Sequence, residues 1–146
     1  ESHEIAQCLP ALLTPAARVE LGQRLIDLAH SAIDISDGLM ADLEHILESS
    51  EKAACIHITH IPSSPTLKKY LPQSLAIKCL LAGGDDYELC FTAPQANRGK
   101  IEALAAELAI PLTRIGEIFA GKGLIVKDVQ GNTMTLETQG YDHFSA

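Results

Sequence analysis

The sequence is poor in aromatic and basic residues. Trp is absent and aromatic residues make up 4% of the 146 positions, so a packed core must be built from Leu, Ile, Val and Ala. Lys and Arg number 11 against 19 Asp and Glu, which gives a formal net charge of −8 at pH 7. Because nucleic acids are bound largely through Lys and Arg that neutralise phosphates, we expect no nucleic-acid partner and favour cations as charged partners.

Long apolar runs and paired cysteines are also missing. No uninterrupted apolar run approaches the ~20 residues of a membrane-spanning helix, and the first ten residues, ESHEIAQCLP, contain no basic region followed by an apolar one. We therefore expect no membrane association and a cytoplasmic location. The four cysteines form no C-x-x-C pair, which argues against a zinc knuckle or a redox dithiol. Common phosphate-loop, hydrolase and metalloprotease motifs are absent as well.

The hydropathy pattern predicts one α+β domain over residues 1–146. Pro15 is expected to open a helix with Leu21, Leu25 and Leu28 on its buried stripe. Further helices are predicted from Gly38 to about Ser50, over 73–82, and around Ile101 to Leu108. Strands are predicted at SAIDIS, AACIHITHI, YELCFTAP, LTRIGEIF and GLIVKDVQGNTMTL. We expect a mixed sheet of about five strands covered by three or four helices.

An acidic group lies where the strand SAIDIS gives way to the next helix. Side chains two apart on a strand share a face, so Asp34 and Ser36 would point the same way, with Asp37 at the end of the strand. Mg²⁺ favours carboxylate oxygens and usually takes one or two from the protein, with water and substrate phosphate completing its shell. The alternative is that Ser36 or Asp37 only caps the helix, although capping leaves Asp34, expected inside an apolar strand, without a role.

Other polar residues near these elements receive structural interpretations. Asp42 lies away from the apolar stripe of its helix and is expected at the surface. His57 and His60 are three apart on a predicted strand, so they are expected on opposite faces, which makes a shared metal site improbable.

A second acidic group, Asp85 and Asp86, follows the glycine pair of AGGDDYEL at the start of another predicted strand. A tight turn with solvated acids would explain this segment by itself. Together, the two groups predict an acidic, Mg²⁺-dependent site between two strand ends. The residues alone identify no substrate.

Three segments, AIDISDGLMADLEHI, LAGGDDYELCFTAP and GYDHF, resemble in this order the C-terminal domain of thiamine-monophosphate kinase. The resemblance covers about residues 11 to 144, and it implies the fold of the C-terminal domain of aminoimidazole ribonucleotide synthetase. It also implies ATP-dependent phosphorylation of thiamine monophosphate to thiamine diphosphate with Mg²⁺. By position, Asp34 and Asp37 would bind Mg²⁺, Ser36 would contact ATP, and Asp85 and Tyr141 would contact thiamine monophosphate.

Two departures from the family pattern bear on activity. Position 85 is usually Glu in this family, and Asp is one methylene shorter. Family members also have an N-terminal domain with most metal ligands, the main ATP-binding loops and the homodimer interface, so residues 1–146 are expected to be the C-terminal half and inactive alone. Thiamine-monophosphate kinase belongs to a superfamily with aminoimidazole ribonucleotide synthetase, selenophosphate synthetase and a hydrogenase maturation factor. One alternative interpretation is a synthetase or maturation factor from such a sister branch, and another is a non-catalytic interaction domain.

Overall fold

The computed structural model describes residues 2–134, with side chains from residue 8 onward. This part of the chain forms six α-helices and five strands. The helices are α1 (Ser2–Leu13), α2 (Val19–Arg24), α3 (Leu39–Ser50), α4 (Pro65–Tyr70), α5 (Gln73–Ala82) and α6 (Arg98–Leu108). The strands are β1 (Ser31–Asp34), β2 (Lys52–His57), β3 (Leu89–Thr92), β4 (Gly116–Ala120) and β5 (Gly123–Lys127).

The strands form two separate sheets within the described residues. β1 and β3 make an antiparallel pair that runs from Ser31 opposite Thr92 to Asp34 opposite Leu89. The other sheet has the order β4-β2-β5, with β2 antiparallel to β4 and parallel to β5. A parallel pair requires a long crossover between its strands, and here that crossover contains α4 to α6, β3 and β4.

Helix α3 packs against both sheets and organises the main core. Its apolar residues recur at helical spacing, so Leu39, Leu43 and Leu47 lie on one buried face. They pack with residues from β2, β3, β5 and α5, namely Ala54, Ile56, Cys90, Val126 and Leu81. Glu51 ends the helix in the left-handed conformation, at φ 51°.

A smaller core joins α2 to α6. Leu21, Leu25 and Leu104 are buried together, and Leu89 and Phe91 of β3 pack against them. Arg24 on α2 and Glu107 on α6 close this contact from outside, with two hydrogen bonds of 2.8 and 2.7 Å between the guanidinium and the carboxylate. Such exposed pairs contribute little because water and salt screen them, so the apolar contact is the main stabilising term.

The α+β class and the five strands are confirmed, and α3, α5 and α6 lie where the sequence predicts them. The prediction of a single sheet was wrong, because β1 and β3 pair only with each other in the described chain. The prediction of three or four helices was also wrong, because the described chain contains six. The helix expected from Pro15 is also shorter, since α2 begins at Val19. Gly22 weakens helix propensity there. None of the described helices is long and apolar enough to cross a membrane.

Candidate active site

The first acidic segment forms the end of β1 and the loop that enters α3. Asp34 is the last residue of β1, and its side chain is exposed on the outward face of that strand together with Ala32. The expectation that Asp34 is buried was therefore wrong, because only alternate residues of this edge pair face the core. Ser36 is half-buried and Asp37 is exposed in the loop.

The second acidic segment, residues 83–88, forms a loop before β3 that is called the second loop, and it runs alongside the first segment. The Ile35 N–H donates to the Glu88 carbonyl at 2.8 Å, and the Tyr87 N–H donates to the Ile35 carbonyl at 2.8 Å. The Asp85 N–H donates to the Ser36 carbonyl at 2.9 Å. These bonds continue the antiparallel pairing of β1 and β3 beyond the ends of the strands, so the two segments that sequence analysis singled out lie side by side.

Glycines allow this close approach. A Cβ atom at Gly84 would lie 2.4 Å from the Ser36 carbonyl oxygen, far inside normal contact distance. Gly38 has φ +114°, and a Cβ atom there would lie 3.0 Å from the backbone of Ala82. Only glycine meets both demands without strain, so the G-G and D-G pairs of the two motifs have a backbone role at the point where the segments meet.

The loop of residues 83–88 contains two strained residues. Asp85 and Tyr87 have φ of 63° and 51°, in the left-handed region that residues other than glycine adopt at a cost of order 1–3 kcal/mol. The Tyr87 hydroxyl donates to Asp85 Oδ1 at 3.2 Å. This bond and the charge of Asp85 raise the pKa of Tyr87, with smaller contributions from Asp34 and Asp37. Tyr87 is therefore within the electrostatic field of both proposed metal-binding acids.

The charges of this loop are partly balanced by Arg18. Its guanidinium donates to both carboxylate oxygens of Glu88, at 2.8 and 2.5 Å, and this pairing raises the pKa of Arg18. Partial burial raises the pKa of Asp86, and the neighbouring charges of Glu88 and Asp85 add to this effect. Arg18 was not predicted to lie at the site, because it lies 70 positions before Glu88 and belongs to neither motif.

Asp42 occupies a different position from the one predicted. Its side chain is 2% exposed, and Oδ2 accepts hydrogen bonds from the Ser36 N–H at 3.0 Å and from the Asp37 N–H at 3.1 Å. The prediction of a surface acid was wrong, because the Asp42 side chain reaches back to the loop before α3 and accepts hydrogen bonds from its backbone. The alternative capping role of Ser36 and Asp37 is not observed either, since Gly38 is the N-cap and no described side chain caps this helix.

Among the described residues, this site offers a hard cation two carboxylates and not a full set of protein ligands. Within residues 2–134, no three His, Cys, Asp or Glu side chains are arranged to hold a metal ion. Asp34 and Asp37 remain two accessible carboxylates next to the second loop, which is the protein share that Mg²⁺ commonly takes when phosphates and water supply the other ligands. Tyr141, predicted to contact substrate, lies outside the described residues.

The histidine prediction was wrong in its geometry. A 3₁₀ turn at Ile58–His60 replaces the end of the predicted strand, so the rings of His57 and His60 lie together with centroids 5.1 Å apart. Alternation of faces no longer applies once the strand ends at His57.

Comparison with known proteins identifies relatives of this chain. No family model matches the chain. Thiamine-monophosphate kinase of Escherichia coli K12 is 44% identical over 135 residues, which are 91% of this chain and 41% of that protein. The chain is similar to part of thiamine-monophosphate kinase. The thiamine-monophosphate kinase of Pyrococcus abyssi is 39% identical over 132 residues, covering 90% of this chain and 39% of the relative. The chain thus spans about 40% of the length of these relatives.

The solved structures that are similar to this chain include proteins of the same kind as its sequence relatives. Thiamine-monophosphate kinase from Stenotrophomonas maltophilia K279a matches with a TM-score of 0.77 and 49% identity, over 80% of this chain and 37% of that one. The structure of AaThiL complexed with AMPPCP and TMP also gives 0.77, at 31% identity, over 99% of this chain and 43% of that one. HypE of E. coli, a hydrogenase maturation protein at 22% identity, shares the fold with a TM-score of 0.65.

Proposed function

We propose that this chain supplies part of the active site of an ATP-dependent kinase that phosphorylates thiamine monophosphate to thiamine diphosphate, in thiamine diphosphate biosynthesis. The observation that carries the proposal is the direct pairing of the two acidic loops, in which the Asp85 N–H donates to the Ser36 carbonyl. In this arrangement the proposed metal and nucleotide residues lie next to the proposed substrate residue. The similarity to thiamine-monophosphate kinases, one of them solved with AMPPCP and TMP, supports the assignment of substrates.

Each proposed residue has a separate role. Asp34 and Asp37 would hold Mg²⁺, and Ser36 would contact ATP. Asp85 would contact thiamine monophosphate, and Tyr141 would pack against its ring system. Tyr87, whose hydroxyl donates to Asp85, would keep that carboxylate in place. Mg²⁺, when bound, would neutralise charge on the ATP phosphates.

The reaction asks little covalent chemistry of the protein. A phosphate oxygen of thiamine monophosphate forms a bond to the γ-phosphorus of ATP as the bond from that phosphorus to its bridging oxygen breaks, which releases ADP. Such transfers depend on positioning and charge neutralisation. The chain's contribution is to fix two exposed acids and one half-buried serine beside the second loop, since three backbone hydrogen bonds hold the loops together.

We further propose that residues 1–146 are the C-terminal half of a two-domain cytoplasmic kinase. The relatives are more than twice as long as the stretch that this chain matches, which supports further sequence in the active enzyme. The N-terminal half would carry the main ATP-binding loops, most metal ligands and the homodimer interface. The chain alone would then be inactive.

The test is ADP production from ATP with thiamine monophosphate and Mg²⁺, measured for this chain alone and for a form extended by the upstream domain. We expect thiamine diphosphate only from the extended form. In that form, Asp37→Asn should lower turnover by about 10-fold or more, because an amide is a poorer Mg²⁺ ligand than a carboxylate. Asp27→Asn, which removes an equal charge from an exposed residue outside both loops, is the control and should leave turnover unchanged.

Two results would contradict the proposal. Full turnover of Asp37→Asn would remove Asp37 from the metal site. Phosphorylation or activation of another small molecule, with thiamine monophosphate left unchanged, would instead place the chain in a sister branch of the superfamily.

A further inference from the structure

Asp42 is a buried charged residue beside the proposed active site, and it is not among the proposed ligands. Its carboxylate is 2% exposed, and one oxygen, Oδ2, accepts from the backbone N–H groups of both Ser36 and Asp37. The carboxylate reaches back over the start of α3, where the Asp42 N–H donates to the Gly38 carbonyl at 3.0 Å. A negative charge in the first turn of a helix is also stabilised by the helix dipole.

The hydrogen bonds of the loop show what this carboxylate does. Second-loop residues engage the N–H and carbonyl of Ile35 and the carbonyl of Ser36. The next two backbone donors, the N–H groups of Ser36 and Asp37, are left for Asp42. Unpaired backbone donors in a partly buried loop are costly. The second loop therefore holds one side of this segment and Asp42 holds the other.

We infer that Asp42 is a positioning residue, which fixes the backbone of Ser36 and Asp37 beside the second loop. This inference rests on the proposed function for its consequence, metal and nucleotide binding, and on geometry alone for its cause. Asp42 itself would touch neither metal nor substrate, because its charge is turned inward onto the two amides.

Amide hydrogen exchange of the full chain tests the cause. Asp42→Ala removes the acceptor, so we expect exchange at the Ser36 and Asp37 amides to become about 10-fold faster or more. Asp42→Asn retains a neutral oxygen acceptor, and neutral hydrogen bonds are about half as strong as charge-assisted ones, so its effect should be intermediate. Glu48→Gln and Glu48→Ala are the matched controls, since Glu48 is an exposed acid on the same helix.

The β2 amides serve as an internal reference for global stability. Exchange in β2 (Lys52–His57) should change much less than exchange at the two loop amides. Equal acceleration in β2 and in the loop would overturn the inference, because it would show a general loss of stability instead of release of the loop. If Asp42→Ala does not fold, the same comparison is made with Asp42→Asn.

Titration with Mn²⁺ tests the consequence. Mn²⁺ bound by Asp34 and Asp37 would broaden their amide signals, and Asp42→Ala should require about 10-fold more Mn²⁺ for the same broadening. Unchanged Mn²⁺ dependence, with faster loop exchange, would overturn the positioning role while leaving the structural contact in place. If the unsubstituted chain alone binds no Mn²⁺, the same titration is made with the extended form and ATP, where absence of binding would count against the proposed metal site itself. The exchange comparison would still decide whether Asp42 holds the loop.

Discussion

At the scale of single residues, Cys90 shows how burial controls a titratable group. This thiol lies in β3 opposite Ile33, in the main core. Burial, with a smaller contribution from the charge of Asp42, raises its pKa to about 11 from an ordinary value of 9.0. The thiol therefore stays protonated in the folded protein at neutral pH, which favours a structural role over a nucleophilic one.

This raised pKa predicts a loss of stability at alkaline pH. Between about pH 9 and 11 the unfolded chain has released the Cys90 proton and the folded chain keeps it, so the free energy of unfolding falls by up to about 1.4 kcal/mol per pH unit. From pH 8 to pH 10, the unsubstituted chain should lose roughly 1 kcal/mol more than Cys90→Ala, measured by urea unfolding under reducing conditions. Cys8→Ala, at an exposed cysteine, should retain the original pH dependence. Parallel pH curves for Cys90→Ala and the unsubstituted chain would contradict the assignment.

At the scale of elements, the candidate site depends on how closely two loops approach. The segment before β3 can pair with the segment after β1 only because Gly84 presents no side chain toward the Ser36 carbonyl. Asp85 and Tyr87, which come after Gly84, have strained backbone conformations. Hydrogen bonds to the backbone of Ile35 and Ser36 hold these conformations in place. The loop geometry is therefore a property of the pair of loops and of neither loop alone.

Gly84→Ala should separate the loops. The new methyl group would lie 2.4 Å from the Ser36 oxygen, so we expect a cost of about 1–3 kcal/mol in the free energy of unfolding. We also expect large shifts of the amide signals of Ile35 and Tyr87. Gly99→Ala is the control: apart from its chain neighbours and the backbone of its own helix turn, no described atom lies within 4 Å of a Cβ there, and alanine in a helix should raise stability by up to about 1 kcal/mol. Equal effects of the two substitutions would show that the close approach does not limit the loop.

At the scale of the whole molecule, helix α3 packs against both sheets and so connects them. It packs against β1 and β3 of one sheet and against β2 and β5 of the other sheet. The two sheets share no hydrogen-bonded strand in the described chain. Their relative position, and with it the site at the end of β1, therefore depends strongly on packing against this helix.

Leu47→Ala tests this dependence. Leu47 is 2% exposed in the main core, and its truncation should lower the free energy of unfolding by about 2–5 kcal/mol. Unfolding followed by far-UV circular dichroism and by tyrosine fluorescence should still coincide, because both sheets depend on α3. Leu12→Ala, at a residue 72% exposed, should change stability by less than about 0.5 kcal/mol. Two separate transitions would show that the sheets unfold independently.

The sequence by itself determined the local structure and the composition of the candidate site. Spacing of apolar residues predicted α3 within one residue of its observed start, because 3.6-residue periodicity is a local property. The two acidic motifs, with their glycines, indicated where polar residues lie at the ends of the strands. Roles for Asp34, Ser36, Asp37, Asp85 and Tyr141 came from resemblance and stay predictions.

Only the tertiary structure decided which acids are buried and which residues support the loops. Asp34 is exposed and Asp42 buried, the reverse of what the sequence predicted, because burial depends on what packs over a residue. The Arg18 to Glu88 pair and the approach of His57 to His60 likewise escaped sequence analysis. The first joins residues 70 apart, and the second depends on a turn that ends the strand early. Periodicity reports the faces of isolated elements, whereas long-range packing determines what those faces meet.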